Sequence, residues 1–215
     1  MIMGFRESFE RGLAKQLARP SGRRGALTGM LLNRRNEQLI TEAIAALDLK
    51  PGAVAADIGF GGGTGLGKLL ERVGQSGTVH GVEISDAMLA RATRKYAWAI
   101  DAGTLELHET SMSQLPLDDA SVNGAITVNT IYFIEDLKRA FTEVAGVLAP
   151  GGRFVIGMAD PDVMASMPVT QHGFTVRPVD DVIEALRAGH LELVDHRRCG
   201  SGWRSAHLLV STPMA

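Results

Sequence analysis

One ten-residue stretch carries the densest chemical signal in the chain: Ala56-Asp57-Ile58-Gly59-Phe60-Gly61-Gly62-Gly63-Thr64-Gly65. An apolar run ends there in glycines, which let a backbone approach a ligand with no Cβ in the way. A glycine loop that opens a helix is a nucleotide site on general grounds. The next apolar run ends in Glu83, where a carboxylate can accept hydrogen bonds from both hydroxyls of a ribose. Loop and acid together point to an adenosine-containing ligand. A dinucleotide loop needs Gly-x-Gly-x-x-Gly, and counting from Gly59 the sixth position is Thr64. Asp57, two residues before the first glycine, would repel a pyrophosphate and would suit a cationic amino group.

The elements that must position these residues alternate in type. Apolar or alternating runs at Val54–Ile58, Thr78–Glu83, Thr104–His108, Gly124–Asn129 and Arg153–Met158 predict five strands. Helical spacing lies between them, in Leu66, Leu69, Leu70 and Val73, then in Met88, Leu89, Ala92 and Tyr96 behind a Ser85 cap. A third such helix has Leu137, Ala140, Phe141, Val144 and Leu148 behind an Asp136 cap. Upstream, Phe5–Ala18 and Asn36–Leu47 read as amphipathic helices. Downstream, Val179–Ala188 reads as a helix, whereas residues 159–177 have no clear period. Leu191–His196 and Ala206–Ser211 are close enough to form an antiparallel hairpin. The expected fold is α/β: a Rossmann-like seven-stranded sheet of five parallel strands plus a C-terminal antiparallel hairpin, with helices on both faces and an N-terminal helical cap. It reads as one domain over 1–215, with the cap at 1–50, a ligand-binding core at 51–158 and a substrate-side segment at 159–215.

Composition narrows the classes. The 215 residues are 45% hydrophobic and 21% charged, enough for a proper core. One cysteine, Cys199, excludes an internal disulfide and any multi-cysteine metal site. No apolar run reaches membrane-span length, and no secretory leader is evident, so a cytoplasmic protein is expected. The six histidines show no metal-ligand spacing along the chain, and no metal is expected. Charge is uneven: residues 1–35 carry Arg6, Arg11, Lys15, Arg19, Arg23, Arg24, Arg34 and Arg35 against Glu7 and Glu10. A solvated helix face is the plainer account of that basic arm; attraction to an anionic ligand is the sharper one.

S-adenosylmethionine combines a ribose, a sulfonium, an amino group and no phosphate, as the loop requires. The chain resembles the class I S-adenosylmethionine-dependent methyltransferases, in particular the bacterial small-molecule branch with the type 11 methyltransferase domain. Four blocks between Asn36 and Met158 carry the resemblance, in the family's order. They are Ala56-Asp57-Ile58-Gly59-Phe60-Gly61-Gly62-Gly63, Gly81-Val82-Glu83-Ile84-Ser85-Asp86-Ala87-Met88-Leu89, Leu115-Pro116-Leu117-Asp118-Asp119-Ala120-Ser121-Val122 and Leu148-Ala149-Pro150-Gly151-Gly152-Arg153. The resemblance implies that Gly59, Gly61 and Gly63 pass under the methionine and ribose, with Phe60 where relatives often have cysteine. It implies that Asp57 orients the loop and reaches the amino group, that Glu83 holds the ribose, and that Ile84 and Met88 flank the adenine. Ser111 and Met112 stand beside the adenine where the family often has Asp-Ala, so Ser111 is a departure. Asn129 would face the methionine end or the substrate.

Methyl transfer asks mainly for alignment and exclusion of water; a base is needed only for a protonated, weak nucleophile. Tyr132 and His172 are the candidates for one. Packed aromatic lining and an exposed loop histidine are their structural alternatives. Asn129-Thr130-Ile131-Tyr132 has the Asn and Tyr spacing of nucleic-acid amine methyltransferases but lacks the two prolines. No base-flipping apparatus is evident, so a small-molecule acceptor is favoured over nucleic acid or protein. The basic arm would suit an anionic or carboxylated acceptor. Two further readings stay open: a cofactor-binding protein without catalysis, and a nicotinamide oxidoreductase, which the missing pyrophosphate loop disfavours.

Overall fold

The computed structural model describes residues 36–171 and 173–214. The helix expected at Phe5–Ala18, the basic arm and His172 lie outside these residues. Helix α1 occupies residues 36–46. Then follow β1 (Val54–Ile58), α2 (Thr64–Val73), β2 (Thr78–Glu83), α3 (Asp86–Lys95), α4 (Ala97–Asp101), β3 (Leu105–Glu109) and β4 (Val122–Val128). The chain continues through α5 (Leu137–Val147), β5 (Leu148–Ala159), α6 (Pro161–Ala165), α7 (Val179–Ala188), β6 (Leu191–Cys199) and β7 (Ala206–Pro213).

The seven strands form one sheet in the order β3-β2-β1-β4-β5-β7-β6. The first five are parallel, and β7 pairs antiparallel to both β5 and β6. The hairpin thus forms as expected, with β7 inserted beside β5 and β6 at the edge. Strands covered on both faces must be apolar on both. Ala55 faces a core built with α1, α2 and α3, while Ala56 and Ile58 face one built with α5 and α7. Chain order reverses between β1 and β4, the switch point beside which sheets of this kind hold ligands.

Caps set the helix starts that frame this crevice. Ser85 accepts from Met88 N–H at 3.4 Å, and Asp136 Oδ1 accepts from Arg139 N–H at 2.9 Å. Among the differences from the sequence reading, two bear on the shape of this end of the sheet. Strand β5 begins at Leu148 and bends through Gly151 at φ 77°, so its pairing jumps from Val122–Leu148 to Gly124–Arg153. The aperiodic stretch contains α6, whose first turn is fixed by Pro161 and by the Asp160 carboxylate accepting from Asp162 N–H at 3.0 Å. No described helix is long and apolar enough to cross a membrane.

Candidate functional site

Strand β1 delivers Asp57 to the switch point, in register with Gly81 of β2 and Ile126 of β4. Its side chain turns to the face covered by α2, where a Cβ on Gly65 would overlap the carboxylate. A glycine in the first turn of α2 is therefore what lets helix and acid coexist. Asp57 is 4% exposed. Burial, and secondarily the charge of Glu83, push its pKa up to about 8.

The loop between β1 and α2 turns three times through left-handed backbone, at Gly59 (φ 76°), Gly61 (φ 51°) and Gly63 (φ 77°). The three play different parts. A Cβ at Gly59 would strike Thr130, one at Gly63 would touch Tyr96, and one at Gly61 would meet nothing within 4 Å. Gly61 is thus the open part of the cradle. The loop is pinned from both sides: Tyr96 Oη donates to the Gly63 carbonyl at 2.6 Å, and Gly59 N–H donates to Val82 O at 2.7 Å.

Glu83 closes the loop from β2. Its Oε1 accepts from Ile84 N–H (2.8 Å) and Ser85 N–H (3.0 Å), and its Oε2 accepts from Gly61 N–H (2.9 Å). Burial raises its pKa and these three N–H groups oppose that rise. A carboxylate has about four acceptor sites, so one on Oε2 stays open for a hydroxyl. Gripping a second hydroxyl requires Gly61 N–H to let go.

The expected adenine-side residues divide. Ile84 is 39% exposed beside Glu83. Ser111 is exposed and Met112 buried, and both follow Thr110, whose N–H donates to the Glu83 carbonyl at 3.2 Å. Met88 and Phe60 are buried in one core cluster with Leu66 and Tyr96. At Phe60 the backbone shapes the turn, its carbonyl accepting from Gly63 N–H at 2.9 Å. The ring fills space left by Gly81, where a Cβ would lie 3.1 Å from it.

The opposite wall comes from the end of β4. Asn129 sits at φ 56°, a conformation rare outside glycine and commonest for Asn and Asp. Its Oδ1 accepts from Tyr132 Oη (3.0 Å) and Ala159 N–H (3.1 Å), and its Nδ2 donates to Asn36 Oδ1 (3.1 Å). Tyr132 Oη also accepts from Ala159 N–H at 2.7 Å. Burial holds this phenol well above its ordinary pKa, although the Ala159 N–H opposes the shift. A neutral phenol so engaged holds β4 to β5 and is a poor proton acceptor at neutral pH.

Residues the sequence reading did not single out also meet here. Phe133 and Phe174 pack with ring centroids 4.7 Å apart, and each lies against Tyr132. At the end of β5, Asp160 Oδ2 accepts from Arg198 (2.8 Å) and lies 3.4 Å from His207 Nε2. His207 Nδ1 lies 2.8 Å from His196 Nε2. Alternation on β6 and β7 placed these histidines on strands. Their pairing depends on the register Arg198–His207, which one-dimensional spacing does not show.

This geometry has relatives. Residues 56–156 match the protein family described as "Methyltransferase domain". The match covers just under half of the chain. It contains every loop and strand end described above from Asp57 to Tyr132. An uncharacterized 37.1 kDa protein of a Streptomyces fradiae transposon is 36% identical over 59% of this chain and 38% of its own length. An O-methyltransferase of Pyrenophora dematioidea is 29% identical over 60% of this chain and 51% of its own. The chain thus spans about half or less of these relatives. Geranyl diphosphate C-methyltransferase from Streptomyces coelicolor, solved with magnesium, geranyl diphosphate and S-adenosyl-L-homocysteine, superposes with a TM-score of 0.70. That match covers 91% of this chain and 86% of the other at 15% identity, and it shows a shared fold.

Proposed function

We propose that this chain is an S-adenosylmethionine-dependent methyltransferase acting on a small-molecule acceptor. The observation that carries the reading is the pair of buried carboxylates, Asp57 and Glu83, at adjacent strand ends around an open glycine turn. Burial raises the proton affinity of both, and the charge of Glu83 raises that of Asp57 further; a cationic guest relieves them. The residues fit the cofactor: the space before Gly61 admits a ligand, Glu83 Oε2 keeps an acceptor site for a ribose hydroxyl, and Asp57 offers a counter-charge to an amino group. When bound, S-adenosylmethionine supplies an electrophilic methyl group.

The chain's own residues then bind, orient and exclude water. Glu83 fixes the ribose and Ile84 covers the base beside the Ser111-Met112 turn. Asn129 and Tyr132 hold the wall opposite in one geometry, and Phe133 with Phe174 gives that wall an apolar body. An acceptor held against that wall would present its lone pair to the methyl group, and any acceptor proton would leave to solvent or a base. Alignment of this kind is where most of the rate is gained. Tyr132 acts by position. His172 stays a proposed base. The arginines at 23, 24, 34 and 35 are the basis for proposing an anionic acceptor, and replacing them by alanine should weaken acceptor affinity. The O-methyltransferase relative supports methyl transfer as the reaction.

Calorimetric titration with S-adenosylmethionine and S-adenosylhomocysteine tests the reading, followed by assay of S-adenosylhomocysteine release across small phenolic and carboxylic acceptors. Micromolar binding weakened by Glu83→Gln supports it. No binding of either ligand overturns it, and binding without turnover on any acceptor moves the chain to the non-catalytic reading.

A further inference from the structure

Away from the cofactor crevice, two neighbouring strands bring together three metal-ligating side chains that lie up to 28 positions apart in sequence. His80 on β2 is in register with Glu106 on β3, and Val82 with His108. Side chains two apart on a strand share a face, so Glu106 and His108 project to the same side as His80. His80 Nδ1 lies 3.2 Å from His108 Nε2 and 3.5 Å from Glu106 Oε2, and His108 Nε2 lies 3.9 Å from the same oxygen. These are the separations along the edges of a tetrahedron around a small cation. An ion just out of the plane of this triangle would lie about 2.2 Å from each donor atom, close to the usual zinc–nitrogen and zinc–oxygen distances.

We propose that His80, Glu106 and His108 form a binding site for a divalent transition metal of the zinc type. Two imidazoles and one carboxylate, with a fourth position left for water, suit such an ion and do not suit magnesium or calcium, which require mostly oxygen ligands. The histidine side chains are 14% and 19% exposed and the Glu106 side chain 57%, so the site is walled yet open to solution. The facing nitrogens of the two rings are within hydrogen-bond distance, and a proton shared between them is the one an incoming ion displaces. It moves to the far nitrogen of its ring or to solvent, leaving both facing lone pairs for the metal. The ion would clip β3, an edge strand among the described residues, to β2. That is a structural role, separate from methyl transfer.

The test uses the full chain, stripped with a chelator and titrated with zinc chloride by calorimetry, with thermal unfolding read in parallel. The expected result is one saturable equivalent and a rise in Tm. Loss of partners outside the first coordination sphere commonly costs about 10–100-fold in metal affinity, so losing a ligand should cost at least that. His108→Ala and Glu106→Gln should each weaken zinc binding by about tenfold or more, while His196→Ala leaves it unchanged. Glu106 is exposed enough that its variant keeps the fold if His108→Ala does not. Absence of saturable zinc binding overturns the proposal. So does binding that survives both ligand variants, or that is lost in His196→Ala, or magnesium binding as tight as that of zinc.

Discussion

Asp57 makes cofactor binding a proton-coupled event. In the free chain its carboxyl has a pKa of about 8, because burial and the neighbouring Glu83 disfavour its charge. Such a group is ionised to roughly 1% at pH 6 and roughly 9% at pH 7. If the cationic cofactor binds the ionised form, its affinity must rise about ninefold across that one unit, equivalent to about 1.3 kcal/mol. The ligand's own α-amino group, with an ordinary pKa near 8, stays charged over the window and adds little. At pH 7 about 0.9 proton should leave per site filled. Calorimetry at pH 6 and 7, in buffers of different ionisation enthalpy, reads both quantities. Asp57→Asn should remove the pH dependence of whatever binding it retains. Affinity constant within twofold between the two values, with heats independent of buffer, would refute the reasoning. The same shift carries a stability consequence of definite sign. Between about pH 4 and pH 8 only the folded chain holds this proton, so the ligand-free protein should lose stability as pH rises through that range.

Three substitutions probe the rest of the site. Glu83→Gln leaves one acceptor oxygen for the three N–H groups of Gly61, Ile84 and Ser85. It should cost about 1–3 kcal/mol in denaturant unfolding and lower cofactor affinity about 10–100-fold; an unchanged affinity would remove Glu83 from the site. Gly65→Ala drives a methyl group into the Asp57 carboxylate and should cost about 1–3 kcal/mol, read as a lowered Tm. Tyr132→Phe deletes a hydroxyl, but Ala159 N–H keeps Asn129 Oδ1 as partner. The cost should therefore be about 1 kcal/mol, and the pH–rate profile of the variant should keep both limbs; loss of one would show that the phenol carries the proton.

How much of this was legible in the sequence follows from the range of the interactions. Strands β1 and β2 and helix α7 occupy the predicted residues, because their apolar runs are bounded by glycine, proline or acidic residues that act locally. The Ser85 and Asp136 caps are likewise three-residue events. Asp57, the glycines and Glu83 meet as read, since consecutive parallel strands must end at the same edge of the sheet. Met88 and Phe60 show the limit: an apolar residue beside a ligand loop has the same pattern whether it faces ligand or core. Tyr96 was read as a core residue, and nothing local says that its hydroxyl reaches Gly63, 33 positions away. Spacing along the chain likewise predicts no metal ligands, yet sheet register places His80 and His108 within 3.2 Å. Cross-strand pairs in parallel sheets carry no fixed spacing, because the helix between the strands can have any length.

Two buried acids at one sheet edge also constrain what the crevice can hold. A pyrophosphate brought against Asp57 would set negative charge beside a carboxyl that already resists ionisation, and the complex would form only with that carboxyl protonated. Its binding would then weaken as pH rises, opposite in sign to the dependence expected for a sulfonium or ammonium ligand. Glu83 separates the two cases less well, because a ribose is common to both. The direction of the pH dependence therefore discriminates the chemistry of the ligand even before its magnitude is measured. It does so through one residue, Asp57, whose environment is fixed by Gly65 on one side and by Glu83 across the strand ends.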